Sequence, residues 1–424
     1  ALFSYFLAYD YFNNKNYLIY IFLIIVSLFI LFIFIYSKSK KNLFRFVLVF
    51  IFGIFFYLYN PSIQNKKFNF YVNDLVTYLK FQKKIYLNKD NYLNNIISFK
   101  EDKLNEVTIL FSIDEDINLY KYEKGKISIV NELNQKIHLI FAKFEEKNKY
   151  FFSTIGSKII FKNQKGEFLK KNLKFHHWPH ITKTKIFIPS YDLSLRNKEN
   201  FDEFLKLTRL SKSLSECKFD FKNIPTIDAI EIYDKNLDQF HKFNYLYTIL
   251  KNETVRNKLS NLRCDDFLHL NFIYELKEND TEKIQGSKKG DLLLTFRSYD
   301  GVILLSRSSD KVIYEYQLLK SKPHSGFINA NGNLVLFDNE SQGITRILEI
   351  DPSNNKIIGE FENKKFQSET RGLIYEININ KYLIIYNNSG KIVLLDCKKN
   401  INQSCYNSII IDSYKQISGG SINY

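Results

Sequence analysis

Methionine is absent from the sequence altogether, and tryptophan occurs only once. Other absences bear more directly on what the chain can do. The cysteines (Cys217, Cys264, Cys397 and Cys405) contain no CxxC pair, and no Cys/His spacing matches a zinc site, so the common zinc modules are disfavoured. No basic tract stands out either. The net charge of +15 comes mostly from Lys scattered along the chain. A nucleic-acid surface concentrates its charge on one helix or face, often beside stacking aromatics, so no nucleic-acid partner is expected. Solvated surface accounts for the charge, with some attraction to anionic lipid or substrate.

What is present is apolar and aromatic: 45% and 16% of 424 residues, enough for a sizeable core and for two or three domains. Heavy use of Lys, Asn, Ile, Phe and Tyr reads first as nucleotide bias in the gene. Leu18 to Tyr36 is an uncharged apolar run, long enough at about 1.5 Å per residue to cross a hydrocarbon core of roughly 30 Å. A second run, Phe46 to Tyr59, spans when taken from Leu43 and stops at Asn60-Pro61. No small-residue cleavage site follows either run, which disfavours a signal peptide. Two transmembrane helices are therefore expected in an anchor over residues 1–60, followed by a linker over 61–105 whose fold is left open. Lys38, Lys40, Lys41 and Arg45 lie between the runs, against Lys15 alone before them. The positive-inside rule puts this hairpin in the cytoplasm and the large C-terminal part on the periplasmic or extracellular side. Cys397 and Cys405 bracket a short loop suited to a disulfide, which that compartment would permit.

From about Glu106 onward short β-type runs alternate with turn residues, and one pattern recurs six times: a strand, a gap, a second strand, a polar turn and a third strand. VTILF with INLYKYEKGKISIV is the first copy, and YLIIYN with KIVLLDCKKNINQSCYNSIIID the sixth. A further short strand precedes several copies, as in HLNFIYEL, SGFIN and RGLIYEI, giving the four strands of a propeller blade. The expected fold is all-β: a six-bladed β-propeller over 106–424. Its helical insertions are expected at about Lys198 to Asn223 and Leu237 to Leu262. A β-sandwich is the alternative, with no reason to repeat one hairpin signature.

His177, His269 and His324 each stand four residues before an Ile (Ile181, Ile273, Ile328), and Arg371 opens the corresponding RGLIYEI. Inner strands line a propeller's channel, so equivalent positions converge on the axis although about fifty residues apart in sequence. Imidazoles and a guanidinium gathered there form a cationic, hydrogen-bond-donating funnel for sulfate, phosphate or carboxylate. The plainer alternative for each is a satisfied polar residue at a strand start. A metal site ranks lower, because no Asp or Glu accompanies the histidines in that register. His176 and His180 flank His177 as alternative channel residues, and His241 reads as structural.

HHW, DDFLHLN, GDLLLTFRS and KPHSGFINANGNLVLFDNES, continued by ITRILEIDPSNNKIIGEF and FQSETRGLIYEI, resemble signature segments of bacterial aryl sulfotransferases over roughly Val107 to the C-terminus. The resemblance implies a six-bladed propeller that moves a sulfuryl group from a phenolic sulfate to another phenol, with no nucleotide donor, metal or cofactor. It makes His324 the histidine that is sulfated, places His269 and Arg297 on the sulfuryl oxygens, and makes His177 the remaining active-site histidine. Family members usually follow that last histidine with an acidic residue; here Trp178 follows. Asn271 is expected to orient His269 or to serve as a turn residue, and His180 and Arg371 to contact substrate. The expected partners are an aryl sulfate donor, a phenolic acceptor and, through the N-terminal helices, a membrane; an oligomer is left open. A non-catalytic propeller within a membrane assembly is the competing reading.

Overall fold

The computed structural model describes residues 97–98 and, with breaks, 107–423. All of these lie in the second of the chain's two units, Asn88–Tyr424. The two apolar runs expected to cross a membrane lie outside the described residues, as does most of the 61–105 linker. Among the described residues no helix is long and apolar enough to cross a membrane.

The described chain is mostly β and forms a β-propeller. A short strand β1 (Ile97–Ser98) comes first. The first sheet takes β2 (Thr108–Ile113), β3 (Leu119–Glu123) and β4 (Lys126–Val130), and the second takes β5 (Phe141–Phe144), β6 (Lys149–Ser153), β7 (Lys158–Lys162) and β8 (Phe168–Asn172). In the third are β9 (His180–Ile181), β10 (Lys185–Asp192), β11 (Ile227–Asp234) and β12 (Phe240–Phe243). The fourth comprises β13 (Leu270–Glu275), β14 (Leu292–Phe296), β15 (Gly301–Leu305) and β16 (Val312–Gln317). The fifth comprises β17 (Pro323–Ile328), β18 (Leu334–Ser341), β19 (Ile344–Asp351) and β20 (Lys356–Glu362). The sixth has β21 (Leu373–Asn378), β22 (Lys381–Tyr386), β23 (Lys391–Asp396) and β24 (Tyr406–Asp412), and β25 (Ile417–Asn423) ends the series.

Two pairings depart from simple succession. β25 returns to pair with β2, so the last strand becomes the inner strand of the first sheet. β1 adds to the outer edge of the sixth sheet, where Ile97 and Ser98 pair with Asp412 and Ile411. Five sheets therefore have the four-stranded make-up of a blade, and one has five strands. Inner strands pack on the neighbouring sheet in turn: β13 against β9 and β10, β17 against β13 and β14, β21 against β17 and β18, β25 against β22, and β5 against β25 and β2.

β14 and β15 are buried on both faces and read as near-continuous apolar runs, LLLTF and GVILL, without alternation. The helical insertion forms a second core against the third and fourth sheets. Its main helix, α1 (Lys198–Thr208), starts at Asn197, whose side chain accepts from the Glu199 and Asn200 amides. Phe201 and Phe204, three apart on one face, bury fully, worth about 1.5–3 kcal/mol each. The expectation of helix from Leu237 onward is corrected at its start. Phe240–Phe243 is strand, pairing with β11, and helix begins only at α2 (Leu246–Lys251) and continues in α3 (Glu253–Lys258). The short run FHKF is alternating enough to complete the sheet as its outer strand. Both disulfides are formed: Cys397–Cys405, as the loop suggested, and Cys217–Cys264, which ties the insertion to the segment before β13.

Candidate active site

Four inner strands carry bulges, β13, β17, β21 and β25, and in two of them the extra residue is a candidate site residue. In β17, Pro323 pairs with Asp338 and Ser325 with Phe337, adjacent residues of β18, so His324 is the extra residue. In β13, Leu270 pairs with Phe296 and Phe272 with Thr295, which makes Asn271 the extra residue there. Just before each strand the same backbone bond recurs: the Arg297 amide donates to the His269 carbonyl at 3.0 Å, and the Asn339 amide to the Lys322 carbonyl at 3.4 Å. Asn271 is thus the structural counterpart of His324, and His269 that of Lys322. The shared spacing to Ile273 and Ile328 does not mark equivalent positions, because Ile273 pairs with Leu294 and its counterpart is Gly326. The bulges and turn geometry, invisible in the spacing, set the register instead.

The histidines nevertheless meet. His269 and the preceding Leu268 have φ of +49° and +67°, a left-handed turn that non-glycine residues adopt at a cost of about 1–3 kcal/mol each. Asp228, on β11, fixes the residue after it by accepting the Leu270 amide at 2.6 Å. His177 approaches from just before β9, and its Nε2 lies 2.9 Å from Nε2 of His269, so the two rings share one hydrogen. The ring centroid of His324 lies 5.3 Å from His177 and 5.1 Å from Trp178, both edge-on.

His324 is 3% exposed, and its ring nitrogens make no hydrogen bond of normal geometry, although the Gly372 backbone is near enough to act on the ring. Burial, then the positive charges at His269, Arg371 and Arg297, hold its pKa well below the ordinary 6.5; the Gly372 backbone opposes this without offsetting it. The ring is therefore neutral near pH 7, with a lone pair available and cations around it. Arg371 is fixed through its carbonyl, which accepts from Asn339 Nδ2 at 2.9 Å and from the Ser368 hydroxyl. Gly372 permits the close approach of this segment, since a Cβ there would lie 1.9 Å from the Phe337 ring.

Of the expected site residues, His177, His269 and His324 are brought together, with Arg297 and Arg371 close enough to act electrostatically on His324. Asn271 does not orient His269. Its Nδ2 donates to the Pro323 carbonyl at 2.8 Å, so it ties the fourth sheet to the residue preceding His324. His180 packs its ring against Phe187, Phe272 and Tyr274, in the seam between the third and fourth sheets. His241 lies on β12, paired with Ile232.

Three contributors were not singled out from the sequence, Asp228, Asp338 and Asn339, and Trp178 was noted only as a departure from the acidic residue of the resembling family. Buried Asp338 accepts from the Ser321 hydroxyl at 2.6 Å and the Lys322 amide at 3.2 Å, and pairs with Arg346 at 2.8 Å, which fixes the segment entering β17. Trp178, as the lone tryptophan beside a candidate histidine, offered a signal; the two aspartates offered none. Among the described residues no group of three or more His, Cys, Asp or Glu is arranged to hold a metal ion.

No family model matches the chain. A segment is 31% identical over 202 residues to the DNA-directed RNA polymerase subunit beta of Carsonella ruddii, covering 44% of this chain and 15% of that protein. The chain thus spans a small part of the length of that relative. Among solved structures, a protein of unknown function from Bacteroides caccae is 9% identical with a TM-score of 0.45, covering 74% of this chain and 98% of that one. Virginiamycin B lyase from Staphylococcus aureus is 12% identical with a TM-score of 0.41, covering 78% and 98%. A functionally unknown protein from Desulfotomaculum acetoxidans is 7% identical with a TM-score of 0.43, covering 75% and 99%. At these scores the likenesses bear on neither fold nor function; the propeller rests on the strand pairing.

Proposed function

We propose that the chain is an aryl sulfotransferase-like enzyme with His324 as its nucleophile, on a propeller whose six sheets act as six blades. The supporting observation is the buried, neutral His324 ring beside a proton-sharing His177–His269 pair and within the field of two arginines. In the first half-reaction a ring nitrogen of His324 attacks the sulfur of a phenolic sulfate. The N–S bond forms, the S–O bond breaks, and the phenolate leaves with a proton from the histidine pair. In the second, an acceptor phenol returns that proton to the pair as its oxygen attacks sulfur and the N–S bond breaks. Arg297 and Arg371 supply positive charge where the sulfuryl oxygens gain negative charge, each such group being worth a few kcal/mol of barrier. No step calls on a cofactor. The two disulfides suit an oxidising compartment, in keeping with a propeller held by N-terminal helices on the periplasmic or extracellular side.

The test is incubation with 4-nitrophenyl sulfate and phenol. Phenolate release that needs His324, together with a sulfuryl adduct in the intact mass after donor alone, supports the reading. Release that persists in His324→Ala removes His324 as nucleophile. One observation favours a second reading, a non-catalytic propeller within a larger assembly: His324 is almost fully covered. That reading expects no turnover of any aryl sulfate and stable association with another protein.

A further inference from the structure

Trp178 is the sole tryptophan of the chain, and 3% of it is exposed. It lies between His177, which shares a hydrogen with His269, and the two-residue strand β9, whose pairing with β10 fixes the segment. Its indole meets the His324 ring edge-on, at 5.1 Å between centroids. His177 also meets that ring, at 5.3 Å between centroids, and the Gly372 backbone lies near it. The indole is a large apolar group placed against a ring whose nitrogens make no hydrogen bond of normal geometry. A carboxylate at this position would have brought water and negative charge to the same ring.

We propose that Trp178 shields the reactive His324 ring from water, and so decides whether a sulfuryl group carried there passes to a phenol or to water. The inference rests on the sulfuryl-transfer reading. Loss to water uses the same bond changes as transfer: the water oxygen bonds to sulfur, the N–S bond breaks, and hydrogen sulfate leaves with His324 restored. A site that excludes bulk water suppresses this side reaction, while a phenol can enter by displacing apolar contacts with its own ring. Trp178 is thus a specificity-determining residue acting through His324.

The full chain and its Trp178→Ala, Trp178→Leu and Trp178→Phe variants are loaded with 4-nitrophenyl sulfate at a fixed phenol concentration. Free sulfate and phenyl sulfate are then counted against released 4-nitrophenolate. The expected result is that Trp178→Ala and Trp178→Leu still release phenolate in the first turnover but send a several-fold larger share to sulfate. Trp178→Phe is expected to restore most of the transfer. An unchanged share in every folded variant overturns the proposal. Labelling of His324 by diethyl pyrocarbonate separates the two hypotheses. If the unsubstituted chain releases no phenolate, the sulfuryl reading fails. Shielding itself is then supported only if His324 labels slowly in the unsubstituted chain and faster in Trp178→Leu; equal labelling overturns that too.

Discussion

In the fourth sheet the bulge of the inner strand holds Asn271, and the imidazole sits two residues earlier, at His269. In the fifth the bulge itself holds His324, and the earlier position is Lys322. The supports differ as well. The approach to His269 is held from the preceding sheet, by Asp228 on the Leu270 amide and by the Cys217–Cys264 bond to the helical insertion. The approach to His324 is held within its own sheet, by Asp338 on Ser321 and Lys322. One half of the cluster takes its carboxylate support from its own sheet, with one amide bond from Asn271 of the fourth, and the other takes its carboxylate from a neighbouring sheet. The two halves should therefore fail in different ways.

The largest effect expected is on chemistry. His324→Ala should lower 4-nitrophenyl sulfate turnover by more than about 10⁴-fold, as loss of a nucleophile does. Lys322→Ala, at the position equivalent to His269, should leave it within a few-fold. Comparable losses from both would erase the distinction between the two sheets. Next comes the support taken from the neighbouring sheet. Replacing Cys217 and Cys264 by Ser opens a loop of 47 residues and should cost about 4 kcal/mol on the chain-entropy account. The matching change at Cys397 and Cys405, closing 8 residues, should cost about 2.5 kcal/mol. Urea midpoints measure both, and only the first should also impair turnover.

Asp338→Ala removes the carboxylate partner of Arg346 from a site with no exposure and should cost about 3 kcal/mol, read by urea unfolding. Asn271→Ala breaks one bond, to the Pro323 carbonyl, and should cost about 1 kcal/mol. Turnover in that variant should fall more than stability does, because the bond joins the two sheets next to His324.

A further effect is on pH dependence. The folded-state pKa of His324 lies well below the ordinary 6.5, so as pH falls the unfolded chain takes up this proton first. Its contribution to stability is intact above about pH 6.5 and is lost progressively below it. Unfolding midpoints measured from about pH 7.5 down to about pH 5 should fall less steeply in His324→Leu than in the unsubstituted chain.

Much of this was legible in the chain. Repeated strand pairs such as GDLLLTF with VILLSRSSDKVIYEY reveal a propeller because each sheet needs the same alternation and the same turn. That histidines of successive sheets would gather was expected from the repeat, but the Ile spacing that chose His177, His269 and His324 does not mark equivalent positions. Their register was not legible, since a bulge adds a residue without altering the hydrophobic pattern on either side of Asn271 or His324. Nor were Asp228 and Asp338, whose roles come from backbone amides brought near by the fold rather than by sequence spacing. The second disulfide joins segments between which no short-range pattern runs.

The pairing of β25 with β2 has a consequence for how the molecule is made. Ile109 finds its partner, Ile422, across nearly the whole length of the propeller. On a ribosome the first sheet emerges early, yet it must wait with an open inner edge until the last strand is released. Contacts of such long sequence separation slow folding, and an unfilled strand edge invites pairing with other chains. The inner edge of the first sheet is therefore open to mispairing until ISGGSIN arrives to fill it.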